Sequence, residues 1–213
     1  AGEADLFERL FPLVEQFQTV CDTIAYAHSK GIIHRDLKGE NVVLGEFGEV
    51  TVIDWGLAKS INGGADGVTL SRPTDDPTKT IEGERLGTPG YMAPEQARAD
   101  LAGIDERTDV YGLSAVLYAV LTARPPFTGE TAVEVMERVE SQPPVRPSTL
   151  NPSIPDELEA ICLKGLSKQK EDRYATAADL HDAVRGWLVH QIQRRRDADH
   201  RARFFSLSHD LFI

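Results

Sequence analysis

Leu10, Leu13, Val14, Phe17, Val20, Cys21, Ile24 and Ala27 recur at intervals of three and four. That spacing predicts an amphipathic helix with one face turned to a core. The helix should stop at Ser29-Lys30-Gly31, where glycine can take the left-handed conformation that closes a helix. Ile32-Ile33 then leads into a polar loop. Val42-Val43-Leu44 and Val50-Thr51-Val52-Ile53, divided by Gly45-Glu46-Phe47-Gly48-Glu49, predict a short β-hairpin. From Lys59 to Gly90, residues of the Gly, Pro, Ser, Thr and Asp types crowd out any periodicity. A stretch of that length without regular structure is expected to be functional or mobile. Thr108 to Thr122 is apolar nearly all round, the pattern of a helix buried in mid-domain. Arg124-Pro125-Pro126-Phe127 breaks it, and shorter helices are expected near 131–140, 156–166 and 176–190, with Pro-rich turns over 143–155. The fold class that emerges is mainly α, with small β-hairpins carrying the polar motifs.

After Trp187 the composition changes. Residues 191–202 are polar and basic, with Arg194, Arg195, Arg196 and Arg201 at helix-compatible spacing, and read as a helical linker. Residues 203–213 are apolar again (Phe204, Phe205, Leu207, Leu211, Phe212, Ile213). They resemble the opening of a PAS sensor domain; a terminal helix packing on the preceding domain is the other reading.

Charge and composition narrow the function classes. The net charge of −11 over 213 residues argues against a nucleic-acid partner, whose usual mark is a basic face. Cys21 and Cys162 each lie on an apolar helical stripe and are expected to be reduced core thiols. The longest apolar run, Gly112 to Ala123, is too short to span a bilayer, so no membrane segment is expected here. The first residues carry no basic start of a signal peptide. The expected location is cytoplasmic, with tethering of the full-length protein to a membrane left open.

The chemistry gathers in His34-Arg35-Asp36-Leu37-Lys38-Gly39-Glu40-Asn41, then Asp54-Trp55-Gly56, then Ala93-Pro94-Glu95. Phosphoryl transfer needs an in-line hydroxyl and neutralised charge more than it needs covalent help. Asp36 suits the acceptance of a hydroxyl proton. Lys38 suits the transferring phosphate, where a cation offsets developing charge. Asn41 and Asp54 are hard oxygen donors of the kind Mg²⁺ takes alongside phosphate and water.

These motifs, in this order, resemble a eukaryotic-type protein Ser/Thr kinase of the bacterial kind. The resemblance covers residues ~6–190, and what it resembles is the C-terminal lobe of a kinase. It implies ATP and Mg²⁺ as cofactors, with Asp36, Lys38 and Asn41 catalytic and Asn41 and Asp54 holding the metal. Lys38, Glu40, Asn41, Val43 and Asp54 would line the nucleotide site, with Val43 under the adenine. His34 and Trp55 would be structural, the histidine packing beneath the aromatic. Asp109 would anchor the catalytic-loop backbone, and Glu95 and Arg173 would form a buried ion pair. Thr88, in Gly87-Thr88-Pro89-Gly90-Tyr91-Met92-Ala93-Pro94-Glu95-Gln96, would serve substrate docking by bonding Asp36 and Lys38. Arg35 marks kinases whose activation loop is ordered by phosphorylation. Thr80, then Thr78, are the sites expected for it.

Two residues depart from the family wording. Trp55 stands where Phe is usual, and Gly39 where Pro is common; neither removes a reacting group. A larger departure is the front of the enzyme. No Gly-rich loop, no Val-Ala-x-Lys strand and no helix with the partner Glu can be found in the chain. The expected organisation is therefore a kinase C-lobe at 1–190, a linker at 191–202 and a candidate PAS start at 203–213. The missing N-lobe is expected in cis, and a fragment lacking it is expected to be inactive alone. The partner is expected to be a protein Ser or Thr substrate. A non-catalytic pseudokinase scaffold is the rival reading, which the intact Asp36, Lys38, Asn41 and Asp54 disfavour.

Overall fold

The computed structural model describes residues 3–60 and 89–210. The helix predicted first is α1, Glu3–Ser29. Its periodic residues Leu10, Val14, Phe17, Val20, Cys21, Ile24 and Ala27 are buried, while Leu13 at the edge of the stripe is exposed. Gly31 has φ 71°, the left-handed turn that lets the chain reverse into the next strand.

Strand β1, Ile32–Ile33, pairs antiparallel with β4, Lys59–Ser60. That pairing departs from the expectation that the chain loses regular structure at Lys59. Two polar residues carry no alternation to read, and the partner strand lies far back in the sequence. The predicted hairpin forms as β2, Val42–Leu44, and β3, Val50–Val52, with Val42 opposite Val52 and Leu44 opposite Val50. Ile53 falls just beyond the strand, its N–H donating to the Asn41 carbonyl at 2.9 Å.

The buried helix is α3, Glu106–Thr122. Asp105 caps it, accepting from the Arg107 N–H at 2.8 Å, while the Thr108 hydroxyl accepts from the Asp105 N–H at 3.3 Å. This reciprocal pair satisfies donors that a helix start otherwise leaves open. Leu113, Leu117 and Tyr118 on α3 have no exposed surface. Two short helices escaped the periodicity: α2, Pro94–Ala97, and α5, Pro147–Leu150, each begun by a proline at its first turn. Four residues are too few to show a 3.6-residue period. Helices α4, Ala132–Ser141, and α6, Asp156–Gly165, lie where expected. The last, α7, is one helix from Ala177 to Asp210, running unbroken past residues 190 and 202.

The core is built where α1, α3, α6 and α7 meet, with Phe17, Ile24, Leu117, Leu158, Leu180 and Val184 among its buried side chains. Burial of one such side chain is worth roughly 1.5–3 kcal/mol, so this cluster dominates the fold's stability. A smaller cluster joins Phe127, Val135 and Val139. Cys21 and Cys162 are both buried and free, and burial pushes both thiols up, away from reactivity. Among the described residues, no helix is long and apolar enough to cross a membrane.

Candidate active site

The helical core presents a loop, residues 34–41, whose shape is set by one buried carboxylate. Asp109, in the first turn of α3, is 1% exposed. Its Oδ2 accepts from the His34 N–H at 2.7 Å and from His28 Nε2 at 2.8 Å, and its Oδ1 accepts from the Arg35 N–H at 2.8 Å. Arg35 sits at φ 69°, a left-handed conformation costing a non-glycine residue about 1–2 kcal/mol. The hydrogen bonds to Asp109 hold it there.

His34 is fully buried, and both ring nitrogens are engaged. Nδ1 accepts from the Asp36 N–H at 3.3 Å, and Nε2 donates to the Ile53 carbonyl at 3.1 Å. Its ring lies 4.5 Å from that of Trp55, centroid to centroid. Trp55 in turn donates from Nε1 to the Val52 carbonyl at 3.0 Å. The histidine thus spends its polar atoms on backbone and has none left for a substrate.

Three of the expected reacting groups converge. Lys38 Nζ lies 3.1 Å from Asp36 Oδ2. Asn41 is buried, and its Nδ2 donates to the Asp36 carbonyl at 2.7 Å and to Asp36 Oδ2 at 3.1 Å. With the amide nitrogen committed, Asn41 Oδ1 is the end left for a cation. Asp54 stands at φ 60°, a conformation Asp tolerates better than most residues, and its side chain caps nothing. An amide oxygen and a carboxylate fit a Mg²⁺ that completes its shell with phosphate and water. Among the described residues, no group of three or more His, Cys, Asp or Glu could hold a metal on its own.

Glu40 is exposed in the turn Gly39–Asn41. Burial raises the pKa of the Tyr91 hydroxyl, and the Glu40 charge raises it further. Val43 is 47% exposed on β2, offering an open apolar floor. Arg35 donates from Nε to the Leu57 carbonyl. Burial lowers its pKa, and Asp109 works against that shift. Glu95 and Arg173 form a bidentate pair, with both nitrogen–oxygen contacts at 2.9 Å and Thr108 Oγ1 donating to Glu95 Oε1 at 2.8 Å. Thr78, Thr80 and Thr88 lie outside the described residues.

Two participants carried no role in the sequence reading. His28 reaches Asp109 from the last turn of α1. Gln96 on α2 donates to the Arg35 carbonyl at 2.6 Å. A histidine at a helix end and a glutamine three residues after the start of a short helix have no linear signature. Their partners lie 81 and 61 residues away.

A buried acid that shapes the loop, and a carboxylate flanked by a lysine and an amide, fit a phosphotransferase class of site. The protein kinase domain family matches residues 12–184, and the chain belongs to it. It is 38% identical over 173 residues to serine/threonine-protein kinase PknB of Mycobacterium tuberculosis strain H37Rv, covering 81% of this chain and 26% of that protein. It is likewise 38% identical over 186 residues to serine/threonine-protein kinase PknD of Protochlamydia amoebophila, covering 84% and 19%. A probable PknB of Bifidobacterium longum is 38% identical over 160 residues, covering 75% and 21%. The chain thus spans about a quarter or less of the length of these relatives.

Proposed function

We propose that this chain is the catalytic C-lobe of a Ser/Thr protein kinase that transfers the ATP γ-phosphoryl group to protein hydroxyls. The observation that carries it is the Asp36–Lys38–Asn41 cluster on a backbone pinned by Asp109. Asp36 Oδ2 receives the proton of the incoming Ser or Thr hydroxyl as the new oxygen–phosphorus bond forms and the bond from the γ-phosphorus to the β–γ bridging oxygen breaks, releasing ADP. With ATP bound, Lys38 would turn its ammonium from Asp36 to the transferring phosphoryl group and offset charge there as transfer proceeds. Asn41 Oδ1 and Asp54 would hold Mg²⁺, which would supply charge neutralisation at the nucleotide phosphates. Asn41 also steadies Asp36 through its amide nitrogen, coupling metal holding to base orientation.

The C-lobe reading rests on what lies beside this cluster. Val43, Leu44, Ile53 and Leu57, on and next to the hairpin, are 39–47% exposed. An adenine and an N-lobe supplied in cis would cover them. We assign Thr88 to substrate docking, Arg35 to pairing with a phosphorylated Thr80 or Thr78, and the Arg-rich part of α7 to a link with a C-terminal sensor, 203–213 being its PAS-like start. Its place is the cytoplasm, where ATP is available and the free thiols Cys21 and Cys162 stay reduced.

The test is phosphate transfer from γ-labelled ATP by the full-length protein that carries this chain. Wild type should label itself or a protein substrate on Ser or Thr. Asp36→Asn should lose at least a hundredfold in rate, the scale of a positioned acid–base group, while still binding ATP. Equal labelling by Asp36→Asn would sink the assignment.

A further inference from the structure

The Gln96 side chain is committed at both ends. Its Oε1 accepts from the Ala93 N–H at 3.0 Å, and its Nε2 donates to the Arg35 carbonyl at 2.6 Å. That carbonyl belongs to the peptide whose N–H is Asp36's own, and this N–H is held by His34 Nδ1 at 3.3 Å. The peptide before it is held through the Arg35 N–H by Asp109 Oδ1 at 2.8 Å. Side chains therefore clamp the two successive peptides that lead into Asp36. Gln96 does so from the residue next to the third motif, Ala93-Pro94-Glu95. Tyr91, Met92 and Gln96 line one cleft together with Arg35, Asp36 and Leu37.

We propose that Gln96 is a positioning residue for phosphoryl transfer, tying the conformation of residues 89–93 to the orientation of Asp36. The inference rests on the reading of Asp36 as proton acceptor. Arg35 is in the left-handed region, so the peptide between Arg35 and Asp36 lacks a helix or sheet to fix it. Rotation of that peptide would swing the Asp36 side chain, and the Gln96 bond resists the rotation. The amide makes both links at once, donating to the Arg35 carbonyl and accepting from the Ala93 N–H, and the donor half is the one that steadies Asp36. Glutamate of equal length keeps only the acceptor half, and its charge would face the Arg35 carbonyl. Lysine keeps only the donor half, and methionine keeps neither.

These differences make the test. Steady-state kinetics of the full-length protein would be compared for wild type, Gln96→Met, Gln96→Glu and Gln96→Lys, with melting temperatures alongside. Gln96→Met and Gln96→Glu should lose roughly tenfold in kcat, the scale of one orphaned hydrogen bond, with the KM for Mg-ATP within about twofold of wild type. Gln96→Lys should keep most of the rate, because it restores the bond to Arg35. The proposal is overturned if Gln96→Met matches wild type, if Gln96→Glu keeps the rate while Gln96→Lys loses it, or if melting below the assay temperature accounts for the loss. A wild type that transfers no phosphate overturns the Asp36 reading itself. An active wild type with an indifferent Gln96 overturns only the positioning role.

Discussion

Arg173→Met should be among the costliest changes outside the catalytic loop. The Arg173 side chain has no exposed surface, and that of Glu95 is 2% exposed. Removing one member of such a pair leaves a buried charge uncompensated, at about 3–5 kcal/mol. At about 2–4 °C per kcal/mol for a domain of this size, the melting temperature should fall by about 6–20 °C. The two partners should not cost the same. In Glu95→Gln, Arg173 keeps the carbonyls of Arg107, Ser167 and Lys168, at 3.0, 2.8 and 3.2 Å. In Arg173→Met those three carbonyls lose their donor and Glu95 loses both guanidinium contacts while staying buried, so this variant should sit at the top of the range. Thermal and urea melts of both single variants and the double measure this, and the double should cost less than the sum. Arg173→Met within about 1 kcal/mol of wild type, or strict additivity, would refute the reasoning. The pH dependence gives a second reading. Burial by itself would raise the Glu95 pKa, but the hydrogen bonds and charge of Arg173 outweigh it and hold the carboxyl below its ordinary 4.5. Between the folded and unfolded values the unfolded chain binds more protons, so stability rises with pH across that window. The contribution is complete above the unfolded value and disappears as pH falls through the folded one. Glu95→Gln should flatten that acid limb.

Three further outcomes can be measured. Lys168 donates to the Val139 carbonyl and lies over the Phe127 ring, and burial, with Arg173 nearby, pushes its pKa down to about 8. The unfolded chain therefore binds more protons between pH 8 and the ordinary 10.5, stability should rise with pH across that window, and Lys168→Met should remove the slope in urea melts. A Cβ on Gly112 would meet Leu37 Cβ at 2.9 Å, so Gly112→Ala should cost about 1–3 kcal/mol and slow phosphate transfer by displacing the residue after Asp36. Mass spectrometry of active full-length protein should find phosphate on Thr80 or Thr78, and an unmodified loop in fully active protein would sink that regulatory reading.

What could be read from the sequence divides by the range of the interaction that fixes it. The helices α1 and α3 were legible because burial repeats along a single segment, as at Val14, Phe17, Cys21 and Ile24. The hairpin was legible because two β-branched runs flank a glycine turn. Strand β4 was not, since Lys59 and Ser60 are extended only because Ile32 and Ile33 lie beside them. The short helices α2 and α5 have prolines that mark a start but too few residues to show a face. The site divides the same way. Asp36, Lys38 and Asn41 fall within six residues, so their convergence follows from one loop. The frame that aims them is assembled from distant pieces: Asp109 from α3, which the family resemblance named, and His28 from α1 and Gln96 from α2, which nothing in the sequence marked.

That division has a consequence for the rival reading, in which the fold survives as a scaffold without catalysis. A scaffold needs the Glu95–Arg173 pair and the core, which hold the helices together. It has no need to hold Arg35 in a left-handed conformation from both sides. Nor has it need to spend the nitrogen of a buried Asn41 on the carboxylate of Asp36. Those arrangements bring strain and desolvation to the fold, and what they produce is a fixed direction for one carboxylate beside a lysine. Misplacement by even 1 Å can cost a hundredfold in rate, so these arrangements favour the proposed phosphotransferase over a scaffold. The two readings part at Asp109→Asn in the full-length protein. Asparagine keeps the size of the side chain but sets a donor against the His34 or Arg35 N–H. The active-kinase reading expects phosphate transfer to fall by a larger factor than the fraction unfolded can explain. A loss that follows unfolding alone would return Asp109 to a structural role and reopen the scaffold reading.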